Sequence, residues 1–177
     1  MLGYYKRPDL TAEVIDKDGW FHTGDIGEWR GDKLRITDRK KEIFKTSGGK
    51  YIAPQYIENK LKESRFIEQA MVIGENQKFA SALIVPAFTN IREWAATQGL
   101  KFDTNAELAS NAIIKKKIQE EIESINKTLG QHETIKKAEL LSEEFSIQKG
   151  EMTPKLSLKR KVILENNRSV VDRIYNL

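Results

Sequence analysis

Two apolar runs constrain this chain more than any other feature: Ala70-Met71-Val72-Ile73-Gly74 and Ala80-Ser81-Ala82-Leu83-Ile84-Val85, parted by the polar Asn76-Gln77-Lys78. Short strings of branched residues bounded by turn formers read as strands. Because they are nearly continuous and not strictly alternating, both strands are expected to be buried on at least one face. The economical pairing is a hairpin, and something must cover it. Ile114, Ile118, Ile122, Ile125 and Leu129 recur at helical spacing within 111–129, with Gly130 expected as the cap. The ordinary use of such a stripe is packing a helix onto a core.

The rest of the chain fits around that centre. Ile26-Gly27-Glu28-Trp29 and Leu34-Arg35-Ile36-Thr37 flank Arg30-Gly31-Asp32-Lys33 as a first hairpin, and Asp16-Lys17-Asp18-Gly19 is a turn, so residues 1–37 read as β-rich. From Pro54 the period changes: Ile57, Leu61 and Phe66 predict a helix over about 54–64 with the proline in its first turn. A further helix over 91–98, a short strand over 138–145, and one closing amphipathic helix over 159–175 carrying Val162, Ile163, Val170 and Ile174 complete the pattern. The expected class is α+β: an antiparallel sheet and hairpin flanked by helices.

Composition narrows the function. A chain of 177 residues that is 39% hydrophobic can bury a core of ordinary size, so one domain, or one with an appendage, is expected. Thirty Lys plus Arg against 26 Asp plus Glu leave a net charge of +4, a weak pull on polyanions, and no nucleic-acid partner is expected. With Cys 0 and His 2, neither disulfides nor a thiolate or histidine-rich metal site can form, which fits a cytoplasmic setting. No apolar run approaches the roughly 20 residues of a membrane-spanning helix. The opening Met1-Leu2-Gly3-Tyr4-Tyr5 carries no capping or turn signal, as though it continued from something longer.

Three clusters can carry chemistry. Asp25 lies between Gly24 and Gly27 in GWFHTGDIG, at a strand or turn where a ligand can approach the backbone, and a fixed carboxylate suits the two hydroxyls of a sugar. Taken alone, it reads first as a turn aspartate bonded to local amides. In DRKKEIFKTSGGKYIAP, Arg39 supplies a planar fork, Lys45 a mobile charge, and Gly48-Gly49 bare backbone. The third is GEMTPKLSLKRK, an exposed loop with Lys155, Lys159, Arg160 and Lys161, where a lysine can neutralise charge that builds during acyl or phosphoryl transfer. Each cluster alone also reads as solvated surface. His22 and His132 have no spaced partner and are assigned no role.

Taken in order, GYYKRPDLTAEVI, DGWFHTGDIG, ITDRKKEIFKTSGGKYIAPQYIEN and TPKLSLKRK resemble the carboxyl-terminal end of the acyl-activating, adenylate-forming (AMP-binding) enzymes. They are most similar to long-chain fatty acid CoA ligases. The resemblance covers nearly the whole chain and is weakest over about 89–135.

It implies formation of an acyl adenylate from a carboxylate and ATP with Mg2+, then displacement of AMP by the thiol of coenzyme A. Asp25 and Arg39 would contact the ribose. Lys159 would bridge carboxylate and phosphate in the first step, while Lys45 and the Ser47-Gly48-Gly49 loop would serve the pantetheine arm in the second. Lys41 would be the hinge about which the small domain swings between the two. Leu158 stands where the family often has glycine, which keeps Lys155 as a further candidate, and the Gly48-Gly49 loop is one residue longer than in shorter relatives.

The resemblance further implies that 1–39 closes a large adenylation domain, 40–177 is the mobile domain, and the phosphate loop, acyl pocket and adenine site lie upstream. On that reading the chain alone is inactive, binds no cofactor tightly, holds no metal and needs the adenylation domain as partner. Peripheral membrane contact and an acyl carrier protein acceptor stay open. The rival from another class is a non-catalytic basic module binding anionic lipid or nucleic acid through Lys40, Lys41, Lys115, Lys116 and Lys117.

Overall fold

The computed structural model describes residues 1–176. In chain order its elements are α1 (Pro8–Val14), β1 (Asp25–Arg30), β2 (Lys33–Arg39), β3 (Phe44–Lys45), β4 (Tyr51–Ile52), α2 (Pro54–Leu61), β5 (Ile67–Ile73), β6 (Ser81–Pro86), α3 (Phe88–Thr97), α4 (Asn105–Ser110), α5 (Ala112–Asn126), β7 (Lys137–Leu140), α6 (Arg160–Asn166) and α7 (Arg168–Tyr175). The two apolar runs form the expected antiparallel pair, with Val72 opposite Ala82 and Ala70 opposite Ile84. A third strand, β7, joins β6 in parallel, with Ala82 opposite Ala138.

The near-continuous hydrophobicity of β5 and β6 follows from burial on both faces. Ala70, Val72, Ala82 and Ile84 pack with Ile57 and Leu61 of α2 and with Ile114, Ile118 and Ile122 of α5. The alternate residues Met71, Ile73, Leu83 and Val85 pack on the other side with Phe145, Ile163 of α6 and Ile174 of α7. Period-two alternation thus divides one sheet between two apolar layers. The α+β class is as expected, with helices on both faces.

Several boundaries differ from expectation for identifiable reasons. Residues 1–37 are not strand throughout, because Pro8–Val14 is helical; Pro8 in its first turn and Asp9 beside its N-terminus are the local signals, but the helix buries no residue. A separate helix, α4, starts at a reciprocal capping box between Thr104 and Glu107. Asn111 then accepts from the Ile113 and Ile114 amides to start α5, which ends at Lys127 and not at Gly130. The Gly130 amide is occupied elsewhere, donating to Glu133 Oε2 at 2.9 Å.

The closing helix is two helices. They part at Asn167, whose side chain donates to the Ile163 carbonyl at 2.9 Å, local competition of the kind that makes Asn a poor helix-interior residue.

Candidate functional site

Asp25 and Arg39 are Cα partners at one end of the β1–β2 ladder, whose register shifts between Ile26 and Gly27. Their side chains meet, Arg39 Nε lying 2.7 Å from Asp25 Oδ1. The guanidinium is 59% exposed and the carboxylate 25%, so both keep free polar edges toward solvent. A carboxylate and a planar donor fork side by side suit a vicinal diol, since one accepts from hydroxyls and the other donates to them.

Between them and the next element lies Asp38, fully buried, a residue not singled out from sequence. Its Oδ1 accepts from the Arg39 amide at 2.6 Å and its Oδ2 from the Gln55 amide at 3.0 Å, in the first turn of α2. It therefore fastens the β1–β2 hairpin to α2 through orphan helix N–H groups. Burial pushes the Asp38 carboxyl above the ordinary aspartate range, against the pull of those amides.

The chain then turns: the Glu42 amide donates to the Arg39 carbonyl at 2.9 Å. Lys41, in this turn, is exposed. Lys45 follows on β3, opposite Tyr51, and its Nζ lies 5.5 Å from the Tyr51 ring centroid. The loop beyond it closes when the Thr46 amide donates to the Lys50 carbonyl at 2.9 Å, and the Ser47 amide reaches Gln77 O at 2.9 Å. The two glycines there have different grounds. Gly49 has φ +79°, which a side chain would strain, whereas a Cβ at Gly48 would meet nothing nearer than Thr46 Oγ1 at 4.0 Å. The turn thus demands Gly49 only, and Gly48 leaves backbone bare where a side chain would fit.

At the far end of the chain, Met152 and Leu158 bridge, and the Thr153 amide donates to Ser157 O at 2.9 Å. This is a small hairpin with Pro154, Lys155 and Leu156 at its tip. Leu156 has φ +60° and is 66% exposed. Lys159 stands at the base, exposed, its amide donating to the Glu151 carbonyl at 2.7 Å as α6 begins. The buried Glu151 carboxylate holds that base by accepting from Asn166 Nδ2 at 3.0 Å.

The turn that follows Arg39 and this loop both line a cavity of about 650 Å3, with Lys41, Glu42, Phe44, Ile73, Leu158 and Arg160 among its walls. Arg39, Lys45 and Lys159 do not line it. Sequence reading passed over the contact at its wall. Arg160 donates Nη1 and Nη2 to the two oxygens of Glu58 at 2.7 Å each and Nε to Glu42 at 3.0 Å. Glu58 also accepts from the Val72 amide at 2.7 Å, and Arg160 donates to the Val72 carbonyl at 3.3 Å. Burial pushes the Glu58 carboxyl upward, although Arg160 pulls against it.

Among the described residues no group of three or more His, Cys, Asp or Glu could hold a metal ion, and no helix is long and apolar enough to cross a membrane. The rival basic patch is partly neutralised: Lys117 pairs with Glu121 at 2.7 Å and Lys115 with Glu139 at 3.7 Å.

The chain is similar to known proteins over nearly its whole length. Long-chain-fatty-acid--CoA ligase 1 of Homo sapiens is 42% identical over 178 residues, covering 98% of this chain and 25% of the relative. Long chain acyl-CoA synthetase 7, peroxisomal, of Arabidopsis thaliana is 37% identical over 162 residues, 89% of this chain and 23% of the relative. The chain therefore spans about a quarter of the length of these relatives. Among solved structures, the adenylation domain of a Mycobacterium chelonae carboxylate reductase superposes with TM-score 0.78 at 26% identity, over 99% of this chain and 26% of the other. The corresponding domain from Segniliparus rugosus, solved with AMP and a carboxylic acid, gives 0.76 at 25% identity over 98% and 26%. The family model for the AMP-binding enzyme C-terminal domain matches residues 41–177, starting at the exposed turn after Arg39, and to that family the chain belongs.

Proposed function

We propose that this chain is the carboxyl-terminal part of an ATP-dependent long-chain fatty acid CoA ligase, in which 1–39 ends a large adenylation domain and 40–177 is the domain that moves. The observation that carries the reading is the Asp25–Arg39 pair, a half-buried carboxylate and an exposed guanidinium joined at 2.7 Å two residues ahead of Lys41. Asp25 accepts from the ribose hydroxyls of ATP and Arg39 donates to them. On this reading ATP is taken up together with Mg2+.

In the first step a lysine of the 153–159 loop neutralises charge shared between the fatty carboxylate and the α-phosphate as pyrophosphate leaves. Rotation at Lys41 then withdraws that loop and presents Lys45 with Ser47, Gly48 and Gly49, where bare backbone admits the pantetheine arm of coenzyme A. The thiol attacks the acyl carbonyl, and AMP departs. The adenylation domain supplies the acyl pocket, and the setting is cytoplasmic, with peripheral membrane contact left to the parent protein.

Lys159 is the first assignment for the adenylation lysine. A second reading is favoured by one feature: Lys155 sits at the tip of the Met152–Leu158 hairpin and Lys159 at its base. The test uses the full-length ligase. The variant Lys159→Ala should depress adenylate formation, read by pyrophosphate exchange, by about 10²–10³-fold and spare thioester formation from supplied adenylate; Lys45→Ala should do the reverse. If Lys155→Ala carries the first effect, the role moves to the tip. Equal loss of both steps in every variant refutes the two-face reading. The isolated chain given ATP, Mg2+, coenzyme A and palmitate should release no AMP, and sustained release refutes the division of labour.

A further inference from the structure

We infer that Arg160 is a positioning residue that ties the exit of the pivot to the lysine-bearing hairpin, so that one rotation carries both lysine faces as a single body. The inference rests on the ligase reading above. Its ground is where the three partners lie. Glu42 immediately follows Lys41 and precedes Lys45 by three residues; Arg160 immediately follows Lys159; Glu58 belongs to α2. The guanidinium is therefore the point at which the two segments serving different steps are joined to each other and to the core.

Its orientation is not free. Both Nη groups are spent on Glu58 at 2.7 Å, in a side-chain environment only 5% exposed on the Glu58 side and 19% on the Arg160 side. A planar fork held by two parallel bonds leaves Nε pointing in one direction, and in that direction stands Glu42 Oε2 at 3.0 Å.

The mechanical consequence concerns residues 42–44. A backbone rotation at Lys41 is transmitted only if the residues after it do not absorb the torsion themselves. Ile43 and Phe44 line the cavity and Phe44 packs against the core, whereas the side chain of the first residue past the pivot is held by its carboxylate bond to Arg160. Without the bond the loop bearing Lys155 and Lys159 arrives over a spread of positions, and misplacement by about 1 Å suffices to cost about 10²-fold in rate. Arg160 touches no reacting atom in this scheme.

The test centres on Glu42→Ala, which removes the tether while leaving the Glu58–Arg160 fork intact. In this chain, amide hydrogen exchange over 41–46 and over 152–159 should accelerate together by about tenfold or more, the factor for a lost charge-assisted bond, with α5 unaffected and the melting temperature nearly unchanged. Glu42→Gln, which keeps an acceptor for Nε–H, should restore both segments. In the full-length ligase, Glu42→Ala should lower kcat of both half-reactions by about tenfold with KM for ATP and coenzyme A unchanged. Acceleration confined to one segment, or an unaltered kcat in a ligase whose unsubstituted form turns over, overturns the inference. A ligase inactive without any substitution would instead defeat the functional reading, and the exchange experiment would still decide the tether.

Discussion

Removing the Arg160 side chain tests how this charge cluster is held. In Arg160→Ala the Glu58 carboxylate, 5% exposed, loses both donors of the fork and keeps only the Val72 amide at 2.7 Å. Stripping one partner from a buried pair costs about 3–5 kcal/mol, because the remaining charge is neither solvated nor matched. Unfolding entropy of about 2.1 cal/mol/K per residue gives about 0.37 kcal/mol/K for 177 residues, so the melting temperature should fall by about 8–13 °C at pH 7.

The deficit should also depend on pH with a definite sign. Glu58 is already pushed upward by burial, and losing Arg160 pushes it further. A carboxyl raised in the folded state contributes stability that is present below its unfolded value of about 4.3 and lost as pH rises through the folded one. The gap between variant and parent should therefore be smallest near pH 4 and widen toward pH 7. Calorimetry across that range reads both quantities. Replacing Glu58 and Arg160 together by Met should recover part of the loss, as apolar exchange of a buried pair often does, with the Val72 amide and carbonyl then left without these partners. A cost under about 1 kcal/mol with no pH dependence is the behaviour of a solvated surface pair, and would refute the reasoning.

Two further outcomes are expected. At the Ser47-Gly48-Gly49 loop, Gly49→Ala should destabilise by about 1 kcal/mol or more because of φ +79°, whereas Gly48→Ala should be neutral or stabilising by up to about 1 kcal/mol yet slow thioester formation in the full-length ligase; urea titration and half-reaction rates separate the two. Asp38→Asn should flatten the stability profile from about pH 4 upward: the raised Asp38 carboxyl contributes stability that is full below its unfolded value and declines as pH rises through its folded one, and asparagine has no such titration.

What the sequence revealed, and what it withheld, divides along range. Local period exposed β5, β6, α2 and the α5 stripe, since burial leaves its mark in the alternation of each segment. Pairings between distant segments leave none. That β7 would run parallel to β6 depends on where α3, α4 and α5 deliver Lys137, and Arg160 meets Glu58 across 102 positions. Asp38 drew no notice because a lone aspartate before an arginine looks like surface, and only the placement of Gln55 above it explains its burial. Asp25 and Arg39 were visible as candidates, but their direct bond required the ladder register. The break at Asn167 was readable in principle, as Asn inside an amphipathic pattern disfavours continuation.

The outer border of β5 has a use beyond packing. Strand β5 ends the sheet ordered β5-β6-β7, and there the Val72 amide and carbonyl are taken by Glu58 and Arg160. Two charged side chains thus imitate the neighbour that the border lacks, and an invading strand would have to break an ion pair to dock. A segment as greasy as Ala70 to Ile73 would otherwise invite self-association during any excursion that bares it, so this pair also guards the chain against aggregation.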